Sequence, residues 1–216
     1  MASIRKINEE VEALRGIAII VVIISHIGNL IVWDLGIGPT MSSFGFAYGV
    51  DLFFVISGFV ITAAFYEKLS NAGARSSHEF WRESRVFMMR RVFRIMPAAL
   101  IWLLIVAAAS AWFNESGIFG TVFGNLIDTA SVLLNVANFH FAKCIADGYT
   151  SPWCGYNGVY WSISLEEQFY LLFPLLILAG KRWVVVLTMA VFVTLALIDR
   201  TIYVWYTRVD GILLGI

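Results

Sequence analysis

The first long apolar run, residues 14–31, most constrains what this chain can fold into, because it holds two ionisable side chains. Arg15 stands at its start, and His26 lies eleven residues further on. At 3.6 residues per turn both side chains lie on one stripe of a helix, about 16 Å apart along its axis. An ionisable residue inside a membrane-spanning helix is costly and marks a functional site by default. The alternative is that His26 is a neutral, hydrogen-bonded histidine that only fixes helix packing, and this helix alone favours neither interpretation.

The composition of the chain indicates that it resides in a membrane. Of its 216 residues 60% are hydrophobic and 14% are charged, whereas soluble domains have about 25% charged residues. Further apolar runs cover residues 46–66, 95–113, 161–180 and 183–198, each near the length of about 20 residues that crosses a bilayer. The sequence therefore predicts an all-α fold, a polytopic transmembrane helical bundle with about five clear spans.

Residues 120–140 depart from this pattern because they are too polar for a helix that faces lipid. The polar residues of this segment are Asn125, Asp128, Asn135, Asn138 and His140. We predict an interfacial or re-entrant helix on the outer side of the membrane. The alternative is a true fourth span, which would reverse the orientation of everything that follows.

The distribution of charge predicts the topology. The net charge is zero, so bulk charge gives no indication of a nucleic-acid partner, and seven of the fifteen Lys and Arg residues lie in residues 67–94. Short basic segments remain in the cytoplasm, so we expect this segment and the N-terminus to be cytoplasmic. Arg90, Arg91 and Arg94 share a helical face. Clustered guanidinium groups bind phosphates bidentately, although the same residues could simply reach lipid headgroups and anchor the third span.

An acidic residue lies inside the second apolar run. Asp51 follows Gly49 and Val50 within that run. It could cap the helix N-terminus, where the helix dipole favours a carboxylate, or it could point at the first helix. Its place inside apolar sequence favours the second interpretation.

The loop at residues 141–160 contains both cysteines of the chain. Cys144 and Cys154 would close a small ring if this loop faces an oxidising compartment, and we favour this disulfide over two unpaired thiols. Trp161, Ser162 and Glu166 crowd the start of the span that follows; capping of that helix by its carboxylates is the simple alternative to a role in a site. Three histidines and two well-separated cysteines argue against a metal centre.

Five motifs in order resemble the signatures of the acyltransferase 3 family, membrane-bound O-acyltransferases that modify surface and secreted glycans. The motifs are LRGIAIIVVIISH at 14–26, GVDLFFVISGFVIT at 49–62, RRVFRIMP at 90–97, WSISLEEQFYLLFPLL at 161–176 and TRVDGILLG at 207–215. The resemblance covers essentially residues 1–216, which correspond to the N-terminal portion of the family's roughly ten-helix domain. We therefore expect a truncated bundle, with further helices after Ile216.

The resemblance implies transfer of an acyl group, by default acetyl, from cytoplasmic acyl-coenzyme A to a hydroxyl of an extracytoplasmic carbohydrate such as lipopolysaccharide O-antigen or exopolysaccharide. It also implies the bacterial inner membrane as the location, and membrane lipids, acyl-coenzyme A and a carbohydrate acceptor as partners. No metal and no nucleic acid are implied. The resemblance places Glu166 at the key carboxylate, and it adds Arg208 and Asp210 through the Thr-Arg-x-Asp motif.

The same resemblance suggests roles for the ionisable residues. Arg91 and Arg94, together with Arg90, would hold the phosphates of the donor. His26 would act as general base on the acceptor hydroxyl or be transiently acylated, and the sequence does not separate these two mechanisms. Asp51 or Glu166 would orient the imidazole, as a carboxylate does in triad chemistry, with Arg15 on the same stripe.

Two other functions fit parts of the sequence. A transporter or flippase for a glycan or another anionic solute would also use His26, Asp51 and Glu166, because such groups suit proton-coupled translocation. A non-catalytic membrane subunit or a decayed gene fragment is the third possibility. Transfer of label from acyl-coenzyme A distinguishes an acyltransferase from both of these alternatives.

Overall fold

The fold is helical throughout the part of the chain that the structure describes. The computed structural model describes residues 2–30, 49–199, 201–207 and 209–216, and the side chains in these ranges except those of residues 2–8, 25–30 and 205. In chain order the elements are α1 (Ala2–Leu30), α2 (Gly49–Arg75), α3 (Ser77–Trp112), α4 (Val122–Leu133), α5 (Ala137–Ala146), a 3₁₀ turn (Gly158–Tyr160), α6 (Trp161–Ala179), α7 (Lys181–Leu197), α8 (Ile202–Thr207) and α9 (Asp210–Leu214). The predicted all-α class is thereby confirmed for these residues.

Three stretches among the described residues are long and apolar enough to cross a membrane. They are α2, α3 and the stretch Gly158–Ala179, which joins the 3₁₀ turn to α6. Large apolar side chains on α3 are exposed, such as Phe93 at 69% and Trp102 at 61%. Exposed apolar surface of this extent suits hydrocarbon surroundings, so the chain is an integral membrane protein, as its composition predicts.

Residues 120–140 form two short helices, α4 and α5, instead of one continuous helix. With 12 residues, α4 is about 18 Å long, well short of the roughly 30 Å hydrocarbon core. The break between them contains Asn135, whose φ of 56° lies in the left-handed region. A short, interrupted helical segment agrees with the interfacial or re-entrant interpretation better than with a full span.

The basic segment is helical except at one residue. Ser76 separates α2 from α3 and caps α3, since the backbone N–H of Glu79 donates to its hydroxyl at 3.1 Å. Lys68 on α2 and Glu83 on α3 form an ion pair of 2.7 Å across this junction. The segment therefore places Arg90, Arg91 and Arg94 on a regular helix, α3.

The described residues divide into two compact units. The first contains residues 1–65 and 210–216, and the second contains residues 66–209. In the first unit, α2 and α9 approach backbone to backbone: a Cβ added at Gly58 would lie 2.2 Å from the carbonyl oxygen of Ile212. Glycine allows such close packing of membrane helices because it has no side chain.

Aromatic and aliphatic side chains form the core of the second unit. Leu103, Val132, Ala137 and Phe141 are fully buried together, and Trp161 packs against them. The Phe87 ring lies 5.9 Å from the Tyr170 ring and 5.7 Å from the Phe173 ring. These contacts hold α3, α4, α5 and α6 in one body, which fixes the relative positions of the candidate site residues on α3 and α6.

Cys144 and Cys154 are joined by a disulfide, with their Cα atoms 5.7 Å apart. We expect the Cys144→Ser/Cys154→Ser variant to lose about 2–3 kcal/mol of unfolding free energy, because the bridge restricts the unfolded chain through loop closure. The measurement is thermal unfolding in detergent with and without reductant. Reductant should lower the midpoint of the wild type and leave that of the variant unchanged; equal midpoints for wild type and variant would contradict this prediction.

Candidate functional site

The first unit contains Arg15 and the backbone of His26. α1 is continuous from Ala2 to Leu30, so the predicted helical spacing of these two residues is present in the backbone. The Arg15 guanidinium lies 3.2 Å from a Glu12 carboxylate oxygen. It also lies 5.7 Å from the centre of the Phe53 ring on α2, within cation–π range. The side chain of His26 lies outside the described residues.

The same unit brings the start of α2 close to the start of α9. Asp51 is in the first turn of α2, and Asp210 is in the first turn of α9. A Cβ added at Gly211 would lie 3.2 Å from the Asp51 carbonyl oxygen, so the GVDLFF and TRVDG motifs are in contact. One carboxylate oxygen of Asp210 is buried and has no hydrogen-bond partner among the described residues. Arg208 lies outside the described residues.

In the second unit, Arg91 contacts two aromatic rings. Its guanidinium carbon lies 5.7 Å from the centre of the Phe87 ring and 5.3 Å from that of Tyr170. Tyr170 is nine residues into α6, about 14 Å along the axis from Trp161. Arg91 therefore packs against the middle of α6, whereas a simple headgroup anchor would extend away from the protein.

Tyr170 connects this arginine to the predicted carboxylate. Its hydroxyl donates a hydrogen bond to Glu166, one helical turn earlier on α6. Glu166 is 7% exposed and Tyr170 is 2% exposed. The structure therefore links the RRVFRIMP and WSISLEEQFY motifs, because half-buried Arg91 contacts buried Tyr170 and Tyr170 donates to buried Glu166, although sequence analysis did not single out Tyr170. The i, i+4 spacing of Glu166 and Tyr170 is a signal that could have found it.

The other predicted residues of this unit are at the surface or have local partners. Arg90 and Arg94 are exposed. Arg90 also lines a shallow groove on α3 with Arg82, Arg85, Val86, Met89 and Phe93. The Trp161 ring packs 4.9 Å from the Tyr206 ring, and the Ser162 hydroxyl donates to the Val159 carbonyl at 3.3 Å.

A buried polar cluster, absent from the sequence-based site, surrounds Asp128. Asp128 is 0% exposed. Its carboxylate accepts hydrogen bonds from the backbone N–H groups of Gly155 and Asn157, each at 3.1 Å, and from the Asn157 side-chain amide. The His140 ring nitrogen Nε2 lies 2.9 Å from the same carboxylate. We name Asp128, His140, Gly155 and Asn157 the Asp128 cluster.

The Asp128 cluster fixes the loop closed by the disulfide. Asn125, also fully buried, accepts a hydrogen bond of 2.8 Å from the Asn157 amide. A Cβ added at Gly155 would lie 2.3 Å from the Asp128 carboxylate, so only glycine fits there. Burial raises the pKa of the nearby Tyr149 hydroxyl above its ordinary value, so Tyr149 is protonated at neutral pH, as an unperturbed tyrosine also is.

The two adjacent glutamates of α6 have different surroundings. Glu166 accepts the hydrogen bond from Tyr170, whereas neither carboxylate oxygen of Glu167 has a hydrogen-bond partner among the described residues. Within the described ranges, no group of three or more His, Cys, Asp and Glu side chains is placed to bind a metal ion.

Comparison with known proteins relates this chain to acetyl-transferring enzymes. It is 29% identical over 184 residues to the peptidoglycan O-acetyltransferase OatA of Listeria monocytogenes, covering 83% of this chain and 26% of that protein. It is 30% identical over 166 residues to the O-acetyltransferase OatA of Staphylococcus aureus, covering 77% of this chain and 24% of that protein. The chain thus spans about a quarter of the length of these relatives. No solved structure gives a significant match.

The match to a family model extends over nearly the whole chain. The model is that of the acyltransferase 3 family, described as an acyltransferase domain, and it matches residues 8–215. That range includes all five motifs and both structural units. The chain belongs to the acyltransferase 3 family.

Proposed function

We propose that this chain is part of an O-acetyltransferase that transfers an acetyl group from cytoplasmic acetyl-coenzyme A to a hydroxyl group of an extracytoplasmic glycan. The family match over residues 8–215 is the observation that carries this proposal. One relative is named a peptidoglycan O-acetyltransferase. Peptidoglycan is therefore the first acceptor to test, ahead of the O-antigen or exopolysaccharide that the sequence resemblance suggested.

The proposed topology has the N-terminus in the cytoplasm of a bacterium and about five spans in its inner membrane. α1 and α7 would complete the set of spans formed by α2, α3 and α6. Lys181 and Arg182 follow α6, so the positive-inside rule puts its C-terminal end in the cytoplasm. The disulfide loop then lies on the outer, oxidising side, which suits a stable bridge.

The proposed donor site uses Arg91 and Arg94 of α3, with Arg90 beside them. The Phe87 and Tyr170 rings lie within cation–π range of the Arg91 guanidinium. These contacts restrict the Arg91 side chain, and a guanidinium so positioned can bind a phosphate through two N–H groups. Arg94 lies one turn further along the helix and is exposed, so it can reach the same anionic ligand.

The proposed chemistry is one acyl transfer. The acceptor hydroxyl oxygen attacks the thioester carbonyl, the carbon–sulfur bond breaks, and the thiol of coenzyme A leaves. His26 takes the proton of the attacking hydroxyl and returns it to the departing thiolate. If His26 is acylated first, its imidazole nitrogen forms a bond to the acyl carbon as the thiol leaves, and this bond breaks when the acceptor hydroxyl attacks. The overall reactants and products are the same. Asp51, in the same unit as His26, would orient the imidazole.

The direct test is transfer of label. Inverted membrane vesicles that contain the full-length protein and a soluble peptidoglycan fragment in their lumen receive radiolabelled acetyl-coenzyme A from outside. We expect base-labile label in the fragment. Movement of the fragment across the membrane without any label transfer would instead identify a transporter.

We expect the Arg91→Ala/Arg94→Ala variant to raise the KM for acetyl-coenzyme A at least tenfold. One charge-assisted hydrogen bond contributes about 1.5–3 kcal/mol, and about 1.4 kcal/mol corresponds to tenfold in affinity. The measurement is a donor titration in the vesicle assay. Arg75→Ala is the matched control, because Arg75 belongs to the same basic segment and its side chain is 75% exposed. A double variant with the donor KM of the Arg75→Ala control would exclude this donor site.

A further inference from the structure

Glu167 is a buried carboxyl group with only the Asn135 side chain as a hydrogen-bonding neighbour among the described residues. It is 2% exposed, and neither of its oxygens makes a hydrogen bond of normal geometry with the described residues, although the Asn135 amide lies nearby. Glu166, its neighbour, has the Tyr170 hydroxyl as a donor. Adjacent residues on a helix point about 100° apart, so the two carboxylates face different surroundings.

Two more buried oxygen atoms without partners among the described residues belong to neighbours of Glu167. Ser164 is 0% exposed, and its hydroxyl oxygen has no hydrogen-bond partner in the described part of the chain. It is three residues before Glu167, so both lie on one face of α6. The side-chain carbonyl oxygen of Asn135 is also buried without a partner there. We name Asn135, Ser164 and Glu167 the Glu167 group.

The position of Asn135 is fixed by α6 itself. The Gln168 amide donates to the Asn135 backbone carbonyl at 2.6 Å and to the Asn138 side-chain oxygen at 2.9 Å. Asn135 has a φ of 56°, a left-handed conformation that is uncommon outside glycine. Gln168 is four residues after Ser164 and lies on the same face of α6, so these hydrogen bonds hold the break between α4 and α5 against the face that carries Ser164.

Buried polar atoms without partners are uncommon in folded proteins, and each requires a physical reason. A bound ligand that supplies the missing donors is such a reason. The Glu167 and Asn135 oxygens can accept hydrogen bonds, and so can the Ser164 hydroxyl. A complementary ligand must therefore donate hydrogen bonds. The phosphates of a coenzyme A donor do not fit, because their oxygens are hydrogen-bond acceptors and do not supply the missing donors.

We propose that the Glu167 group is the subsite that binds a hydroxyl group of the acceptor glycan, with the Glu167 carboxylate accepting its hydrogen bond. This inference rests on the proposed function, which supplies a hydroxyl-rich substrate. Trp161 is one turn before Ser164 and packs against Tyr206, so an aromatic surface continues the same helix face. Glu167 thus fixes the acceptor, while Glu166 remains the carboxylate joined to Tyr170.

The test compares Glu167→Gln with Glu115→Gln in the full-length protein. Glu115 is an exposed glutamate in the segment between α3 and α4, so it controls for loss of one negative charge. We expect Glu167→Gln to raise both the dissociation constant and the KM for a soluble peptidoglycan disaccharide at least tenfold. In Glu167→Gln the KM for acetyl-coenzyme A should stay within twofold of the wild-type value. In Glu115→Gln the acceptor dissociation constant and both KM values should stay within twofold of the wild-type values. Ser164→Ala should raise the acceptor KM without changing the donor KM.

Thermal unfolding without ligand distinguishes a binding role from a structural one. A neutral amide is less costly to bury without partners than a carboxylate, so the unfolding midpoint of Glu167→Gln should equal or exceed that of the wild type. A lowered midpoint together with weaker donor and acceptor binding would overturn the inference, as would an unchanged acceptor KM in a folded variant.

The failure of this inference can be separated from the failure of the proposed function. If the wild type transfers label and Glu167→Gln behaves like the wild type, only the subsite is refuted. If the wild type binds the disaccharide through Glu167 but transfers no label, the proposed function is refuted and the glycan subsite stands. If the wild type neither binds nor modifies the disaccharide, both are refuted for this acceptor.

Discussion

Replacing His26 with alanine is expected to lower the rate of acetyl transfer by about 100- to 10,000-fold, the usual contribution of a general base. α1 continues past this position to Leu30, so His26 lies on the same helical stripe as Arg15. An ionisable group at this depth of a long apolar helix marks a functional site by default. The measurement is the initial rate of label transfer in the vesicle assay, at equal amounts of protein in the membrane.

The chain provides two matched controls for this substitution. His78 is exposed in the first turn of α3, and His78→Ala should transfer acetyl groups at the wild-type rate. His140 lies beside Asp128, and His140→Ala should act mainly on stability. If His26→Ala keeps a rate within about threefold of wild type, less than any general base contributes, the assignment of His26 is wrong.

Continuous apolar runs predicted the helices, because lipid-facing and core-facing residues are both apolar over the length of a span. The predicted runs at 161–180 and 183–198 correspond to α6, Trp161–Ala179, and α7, Lys181–Leu197. The helical start of α3 within the basic segment was less apparent. The charged residues of this segment indicate its topology, but the segment has no apolar pattern that would show where α3 begins. The start of α3 at Ser76 is stabilised by a helix cap and an ion pair.

The motifs propose candidate site residues, but they do not predict the contacts between those residues. Arg91 and Glu166 are 75 residues apart in the sequence, and Tyr170 joins them through its ring and its hydroxyl. The Trp-Ser-x-x-x-Glu spacing of the resemblance selects Glu166 instead of Glu167. The structure adds that Glu166 has the Tyr170 hydroxyl as a hydrogen-bond donor, whereas Glu167 does not.

The second large expected effect concerns Asp128, which sequence analysis treated only as a sign of polarity. Asp128→Ala should lower the free energy of unfolding by about 3–5 kcal/mol, the usual loss when one partner of a buried charged group is removed. The backbone N–H groups of Gly155 and Asn157 donate to this carboxylate. Without it they remain buried and unsatisfied, which is more costly than the loss of an average hydrogen bond.

The isosteric variant Asp128→Asn sharpens this prediction. An amide has the size of the carboxylate but replaces one acceptor oxygen with an N–H₂ donor. Because donors from Gly155, Asn157 and His140 surround both oxygens, one side of the amide must face other donors. We therefore expect Asp128→Asn to be destabilised almost as strongly as Asp128→Ala. Asp147→Ala, at an exposed position after α5, should change the unfolding midpoint little.

Combining Asp128→Asn with the Cys144→Ser/Cys154→Ser variant tests whether both features hold the same loop. The bridge ends at Cys154, and Asp128 binds the next residue, Gly155. Substitutions at neighbouring sites that hold one segment change the free energy of unfolding by amounts that do not add. Once the disulfide or the Asp128 carboxylate is lost and the loop opens, removal of the other should lower the free energy of unfolding by less than it does in the otherwise wild-type protein. Thermal unfolding of the wild type, both variants and their combination measures this coupling. Fully additive changes would mean that the disulfide and the Asp128 cluster stabilise different parts of the protein, and that the loop is not their shared target.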